Sequence, residues 1–399
     1  MLRTLSVLAL TAVFGAAPAL ADPDPSDWDA VLAEAEGQTV YWNAWGGSTT
    51  TNDFIAWIGE RVAEDGVTLE HVKLSDTADA VARVLSEKAA GLDAGGAVDL
   101  IWINGANFAA MKEADLLFGP FAESLPNWAF VDVDGKTVRT DFTVPTEGYE
   151  SPWAMAQVVF VHDTATAPEP PRSAEALLDW ARANPGRFTY PQPPDFLGTT
   201  FLKQMLIDLL DDPSVLQAPA GADASAVAAP LWAFLDELTP LLWREGRAYP
   251  QTGPRQLQLI NDGEVDLAIS FSPGEATAAI ANLELPDTVR TYVLDGGTLG
   301  NASFVAIPYN ANAKAGAMVV ANALLSPEAQ LRAQDPDVLG YGTVLAMDRL
   351  PEADRAAFAA LDLGIATLSP EELGPALPEP HPSWATLLEA EWIERYGAE

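Results

Sequence analysis

The chain has 399 residues, 49% of them hydrophobic, with no cysteine and with 57 Asp plus Glu against 21 Lys plus Arg. That length supports roughly two or three domains with their own cores and excludes a disulfide scaffold or a disordered chain. The net charge of -36 repels phosphate backbones and anionic membrane surfaces, so nucleic acid is excluded as a partner, although such acidity also keeps an exported protein soluble and does not by itself name a cationic ligand.

The first residues read as a secretory leader. Arg3 gives a positive start, residues 5–17 are apolar except for Ser6, Thr11 and Gly15, and Ala19-Leu20-Ala21 is a small-x-small cleavage site. The run is too short to span a membrane, so cleavage after Ala21 is expected, leaving a soluble chain that begins at Asp22. No later stretch approaches a spanning length.

Beyond the leader, strand-like runs alternate with amphipathic helices, the pattern of an α/β protein with mainly parallel sheets. Four strand-to-helix junctions stand out. The first is a strand over 39–42, then Asn43-Ala44-Trp45-Gly46-Gly47-Ser48, then a helix with Phe54, Ile55, Ile58 and Val62 on one face and Thr51 or Asn52 as its cap. A second helix, with Val81, Val84 and Leu85 inward, is stopped by Gly91. The second junction is the apolar strand 98–103, followed by Asn104-Gly105-Ala106-Asn107-Phe108 and a helix through Met111. The third is a strand over 187–190, then the proline-rich loop reaching Asp195-Phe196-Leu197-Gly198, then an apolar helix capped by Thr199 or Thr200. Residues 218–229 read as a surface excursion. The fourth is a strand over 265–271, with Ser272, Pro273 and Glu275 set as a capping box.

In open α/β sheets, ligands sit outside the carboxyl ends of the strands, where helix N-termini present free N–H groups. Two junctions lie in the first third of the chain and two in the middle. The expectation is two lobes, each lending two loops to one cleft. Candidate ligand-binding residues are Trp45, Gly46, Gly47, Ser48, Asn104, Asn107, Trp153, Phe196, Thr199, Ser272, Glu275 and Asn301. Gly46 and Gly47 would let backbone approach a ligand. Trp45, Trp153 and Phe196 would stack on a flat or cationic solute; core packing is the alternative for each, and equally for Phe108 and Phe271.

At these residues the chain resembles the periplasmic components of ABC importers. The segments 41–47, 102–108 and Ser151-Pro152-Trp153-Ala154-Met155 carry the resemblance, with Asn301-Ala302-Ser303-Phe304 as a returning strand and Leu325-Ser326-Pro327-Glu328-Ala329-Gln330 as a helix ending. Pro382-Ser383-Trp384 and Glu391-Trp392-Ile393 point to the YnjB-type subfamily. The resemblance implies a two-lobe, type II-like periplasmic-binding-protein fold with crossing hinge strands at 151–157 and 299–304. It implies capture of a small solute by hinge closure and an ABC transporter permease as partner, with no cofactor; we also expect a monomer. Lobe 1 is expected over 22–151 plus 303–334, and lobe 2 over 154–299 plus 335–399 with bracing C-terminal helices. Related branches take thiamine, polyamines, sugars or ferric iron; this chain lacks the adjacent tyrosine pair of many iron binders. A solute that is thiamine-like, polyamine-like or zwitterionic is expected, because acids and aromatics favour a cation while helix N-termini favour an anionic group.

Other chemistry finds little support. His71, His162 and His381 are far apart, with no metal-ligand spacing. No nucleophile elbow, P-loop or dinucleotide fingerprint is present. The alternative is a carbohydrate-active hydrolase, for which Glu150, Asp195 and Glu275 are the candidate carboxylates.

Overall fold

The computed structural model describes residues 22–397; the expected leader over 1–21 lies outside them. The first part of the chain alternates helix and strand: α1 (Trp28–Ala35), β1 (Thr39–Trp45), α2 (Thr49–Val62), β2 (Thr68–Leu74), α3 (Ala78–Ala89), β3 (Leu100–Ile103) and α4 (Ala106–Glu113). A two-strand hairpin, β4 (Thr140–Asp141) and β5 (Val144–Pro145), leads into the long strand β6 (Glu150–Gln157) and then β7 (Val159–Asp163). There follow α5 (Ala174–Ala183), α6 (Phe196–Leu209), α7 (Ala224–Leu238), α8 (Gly253–Asn261), β8 (Leu267–Ser270), α9 (Glu275–Ala281) and β9 (Val289–Tyr292). β10 (Gly300–Ala306) returns to the first sheet, and α10 (Lys314–Leu324), α11 (Pro327–Gln334), α12 (Glu352–Ala359), α13 (Pro370–Leu373) and α14 (Pro382–Tyr396) complete the chain.

The strands form a five-stranded sheet in the order β2-β1-β3-β10-β6 and a three-stranded sheet in the order β8-β7-β9. Alternation fixes the first: Val40, Trp42 and Ala44 of β1 are buried while Tyr41 faces outward, as a half-covered strand requires. On α2, Phe54, Ile55, Ile58 and Val62 form the buried stripe, each contributing roughly 1.5–3 kcal/mol by leaving water. One hydrophobic cluster draws on residues 31–154 and 302–358, and a second on residues 158–299 and 384–392. Among the described residues no helix is long and apolar enough to cross a membrane.

Two strands run between these cores. β6 pairs antiparallel with β10 from Gln157 opposite Gly300 to Glu150 opposite Ala306. The register slips where Ser303 faces Ala154 and Phe304 faces Pro152, so Trp153 is the extra residue of a bulge, which bends the pair. Gln330 holds the bulge: buried, it donates to the carbonyls of Trp153 and Leu324 and accepts from the backbone N–H of Val344. A third segment crosses alongside, where Met155 and Gly342 exchange backbone bonds of 2.6 and 2.8 Å.

Several details differ from the sequence reading. The sheets are not mainly parallel: β1 pairs in parallel with β2 and β3, but β10 runs antiparallel to β3 and β6, and the second sheet is antiparallel about β7. Residues 187–190 make only a single bridge, Phe188 to Leu267, and the prolines that follow end it. Ser48, not Thr51 or Asn52, stands at the N-cap position of α2. Asp195, not Thr199 or Thr200, caps α6 by accepting from the N–H groups of Leu197 and Gly198. The expected capping box at Ser272 does not form: α9 begins at Glu275 with Gly274 before it, and Glu275 accepts from the Ser270 hydroxyl instead. Leu85 is half exposed and Ala80 takes its inward place. The excursion at 218–229 gives way to α7 from Ala224. Residues 339–358, expected with the second lobe, contribute Leu339, Val344, Leu345, Leu350 and Phe358 to the first cluster.

The third crossing passes so close to the loop before α9 that a Cβ on Gly274 would lie 2.4 Å from the Gly340 Cα. Backbone cannot yield as a flexible side chain can. Gly274→Ala is therefore expected to cost about 1–3 kcal/mol, the range for overpacking, read as a lower urea midpoint at unchanged slope. A wild-type midpoint would contradict the tight crossing.

Candidate functional site

The seam between the two cores is where the chain gathers charge it has removed from water. From the second core, α6 brings Lys203, a lone cation in the apolar run Phe201-Leu202-Lys203-Gln204-Met205 and only 2% exposed. Its Nζ donates to Glu379 Oε2 at 2.6 Å, and Asn301 Nδ2 of β10 donates to Glu379 Oε1 at 3.0 Å. The ammonium also lies 5.6 Å from the Phe196 ring and 4.6 Å from the ring of Phe142, which follows β4.

Phe142 sits at the turn of the β4–β5 hairpin with φ of 52°, a left-handed backbone that large residues rarely adopt. Gly105 accommodates its ring, since a Cβ there would lie 2.6 Å from it. The same turn places Asp141, fully buried, to accept from the Gly105 N–H at the start of α4. Asn104 steadies this loop by donating to the Ala302 carbonyl at 2.6 Å. Burial pushes the Asp141 carboxyl up to about 8; Glu379 across the seam adds to the rise, while the Gly105 bond and Lys203 oppose it. Glu150, at the start of β6, is also fully buried, and burial, reinforced by Asp141, pushes its carboxyl well up. Asp141 Oδ1 and both Glu150 carboxylate oxygens have no hydrogen-bond partner.

More acids flank these groups. Asp195 and Glu389 are raised chiefly by burial, and Asp76 at the end of β2 adds to the push on both. Thr199 donates to Glu389 at 2.8 Å. Glu275, half-buried on the other side of the crossing strands, is likewise raised by burial and lies near Tyr341, whose ring packs edge-on to Trp153.

The expected site residues therefore divide. Asn104, Phe196, Thr199 and Asn301 converge on the seam around Lys203. Phe196 is about half exposed and meets Phe271 edge-on at 5.2 Å. Trp153 is instead 1% exposed in the first core, stacked on Phe54 and edge-on to Trp42 and Trp102, so it braces the bulge rather than offering a free platform. Phe108 is core as well. Gly46 and Gly47 make room for the chain's own Lys73 and Trp45 side chains. Ser48 bonds Thr50, and Ser272 donates to the Leu339 carbonyl. Asn107 is half-buried in the first turn of α4. The sequence reading missed Asp141, Phe142, Lys203 and Glu379. Lys203 alone carried a signal, a single cation inside an apolar helix.

The chain belongs to the bacterial extracellular solute-binding protein family, whose model matches residues 60–347. It is 47% identical over 374 residues to Protein YnjB of Escherichia coli (strain K12), covering 93% of this chain and 94% of that one. Among solved structures it is similar to the periplasmic binding protein AfuA from Actinobacillus pleuropneumoniae, at a TM-score of 0.63 and 13% identity over 91% of this chain and 99% of that one. It is also similar to the spermidine/putrescine ABC transporter substrate-binding protein PotD from Streptococcus pneumoniae, at a TM-score of 0.54 and 16% identity over 81% of this chain and 89% of that one. These structures share its two-lobe α/β fold, and the seam just described is its interlobe junction.

The raised Asp141 carboxyl has a measurable consequence. Folded Asp141 keeps its proton up to about pH 8, whereas an ordinary aspartate releases it near 3.8. The folded state thus binds more protons across that window, and its stability falls as pH rises through it. Asp141→Asn, neutral throughout, is expected to flatten the decline in urea midpoint between pH 5 and pH 8. An unchanged slope would show that Asp141 does not titrate in this way.

Proposed function

We propose that this chain is the capture component of an ABC importer, exported to the periplasm by the leader over 1–21, and that its solute is small and positively charged or zwitterionic. Lobe 1 is taken as residues 22–151 with 303–358, and lobe 2 as residues 154–299 with 377–397; β6, β10 and the crossing at Gly342 form the hinge. Closure of two lobes about such strands sequesters a solute and, by excluding water, strengthens each polar contact with it.

One observation carries the charge assignment. The helix N-termini at the seam are already answered by the chain's own carboxylates: Asp141 accepts at the start of α4 and Asp195 at the start of α6. That removes the main attraction for an anionic solute, while Asp76, Asp141, Glu379 and Glu389 favour a cation. PotD, by its description, serves spermidine and putrescine, whereas AfuA was solved with fructose-6-phosphate; the fold admits either charge, and side chains decide between them. The reading is of a binding protein rather than a hydrolase: Asp195 is engaged as a cap and Glu275 by Ser270, so neither stands free to act as acid or base.

Thermal unfolding with thiamine, polyamines, betaines, amino acids, sugars and sugar phosphates tests the charge. A ligand at a hundredfold over its Kd stabilises by about 2.7 kcal/mol, enough to raise the midpoint by several degrees. Cationic or zwitterionic members are expected to do so. Stabilisation by neutral or anionic members alone would refute a cationic solute.

A further inference from the structure

We propose that Asp141 and Glu150 form a cation subsite selective for N–H donors, receiving a primary ammonium or comparable nitrogen cation of the solute. The inference rests on the reading of the cleft as a solute site and deepens it.

Asp141 and Glu150 carry unmet hydrogen-bonding capacity. Both side chains are fully buried, and three of their four carboxylate oxygens have no partner. A buried acceptor without a donor is costly, and a buried carboxylate without a counter-charge more so. A primary ammonium carries three N–H donors and a positive charge, matching three open oxygens and the missing charge together. A quaternary ammonium brings the charge without the donors and would leave the oxygens unmet.

The surroundings complete the case. Facing Asp141 are the Gly105 N–H and Asn104 before α4, Glu150 on β6, and Glu379 and Lys203 from the other lobe. Lys112 on α4 acts on Glu150, but its ammonium is engaged by Glu147 at 2.7 Å and by the Pro145 carbonyl. Lys203 is engaged by Glu379. Asp141 and Glu150 therefore face one another with neither neighbouring ammonium free to pair with them, and two like charges brought together favour keeping a proton between them. The Lys203 ammonium, held by a carboxylate between two aromatic rings, shows within the protein the environment a solute ammonium would meet beside it.

The test uses two matched pairs in titration calorimetry: putrescine against its bis-trimethylammonium analogue, and 4-aminobutyrate against its N-trimethyl analogue. In at least one pair the N–H form is expected to bind wild type at least tenfold more tightly. Asp141→Asn and Glu150→Gln, checked for folding by circular dichroism, should each lose at least tenfold of that affinity. A variant-free measurement accompanies them: at pH 7, binding enthalpies in phosphate and in Tris should differ by an amount that reports proton release on binding. Equal affinity within each pair, variants that bind as wild type does, or a buffer-independent enthalpy would overturn the proposal. Failure of all four amines would overturn it too; stabilisation by neutral or anionic solutes would then leave the capture function standing.

Discussion

The antiparallel pairing of β6 with β10 is the constraint on which the rest of the molecule depends. Each strand begins in one core and ends in the other, so the two halves cannot be assigned their geometry separately. The bulge at Trp153 sets the bend, and Gln330 fixes the bulge by satisfying the Trp153 carbonyl that the slipped register leaves free. Trp153 then carries the bend into the first core by stacking on Phe54. A change in the angle between the halves must pass through this pair and through the tight backbone crossing of Gly274 with Gly340.

The charge distribution at the seam follows from what those strands bring together. β6 begins at Glu150 and β10 contributes Asn301, which orients Glu379 toward Lys203. The β4–β5 turn adds Asp141. Such a concentration of buried carboxyls would destabilise a purely structural interface, since apolar residues of the same volume pack there at no desolvation cost. The cationic solute proposed above would supply the positive charge that this cluster lacks.

Much of the architecture was legible in the sequence because it rests on local periodicity. Phe54, Ile55, Ile58 and Val62 announced α2, and the apolar run at 100–103 announced a buried strand. The crossing segments were recognisable in 151–157 and 299–304. Helix starts were misread because cap choice depends on which side chain tertiary packing leaves free: Asp195 displaced Thr199, and Glu275 turned to Ser270. The site was half legible for a similar reason. Asn104 follows the end of β3, Phe196 and Thr199 open α6, and Asn301 lies at the start of β10. Asp141, in the two-residue strand β4, and Glu379, outside any helix or strand, are distant in sequence from Lys203, and only long-range folding brings them to it. Trp153 looked like a platform because the sequence does not show which face of a crossing strand the first core covers.

The account turns on what the closed seam holds. Native mass spectrometry of the exported protein, purified without added ligand and then denatured to release any bound molecule, tests this most directly. The account predicts a released small molecule with at least one basic nitrogen bearing N–H, absent from protein carrying both Asp141→Asn and Glu150→Gln. A released sugar phosphate, carboxylate or other species without a basic nitrogen would contradict it.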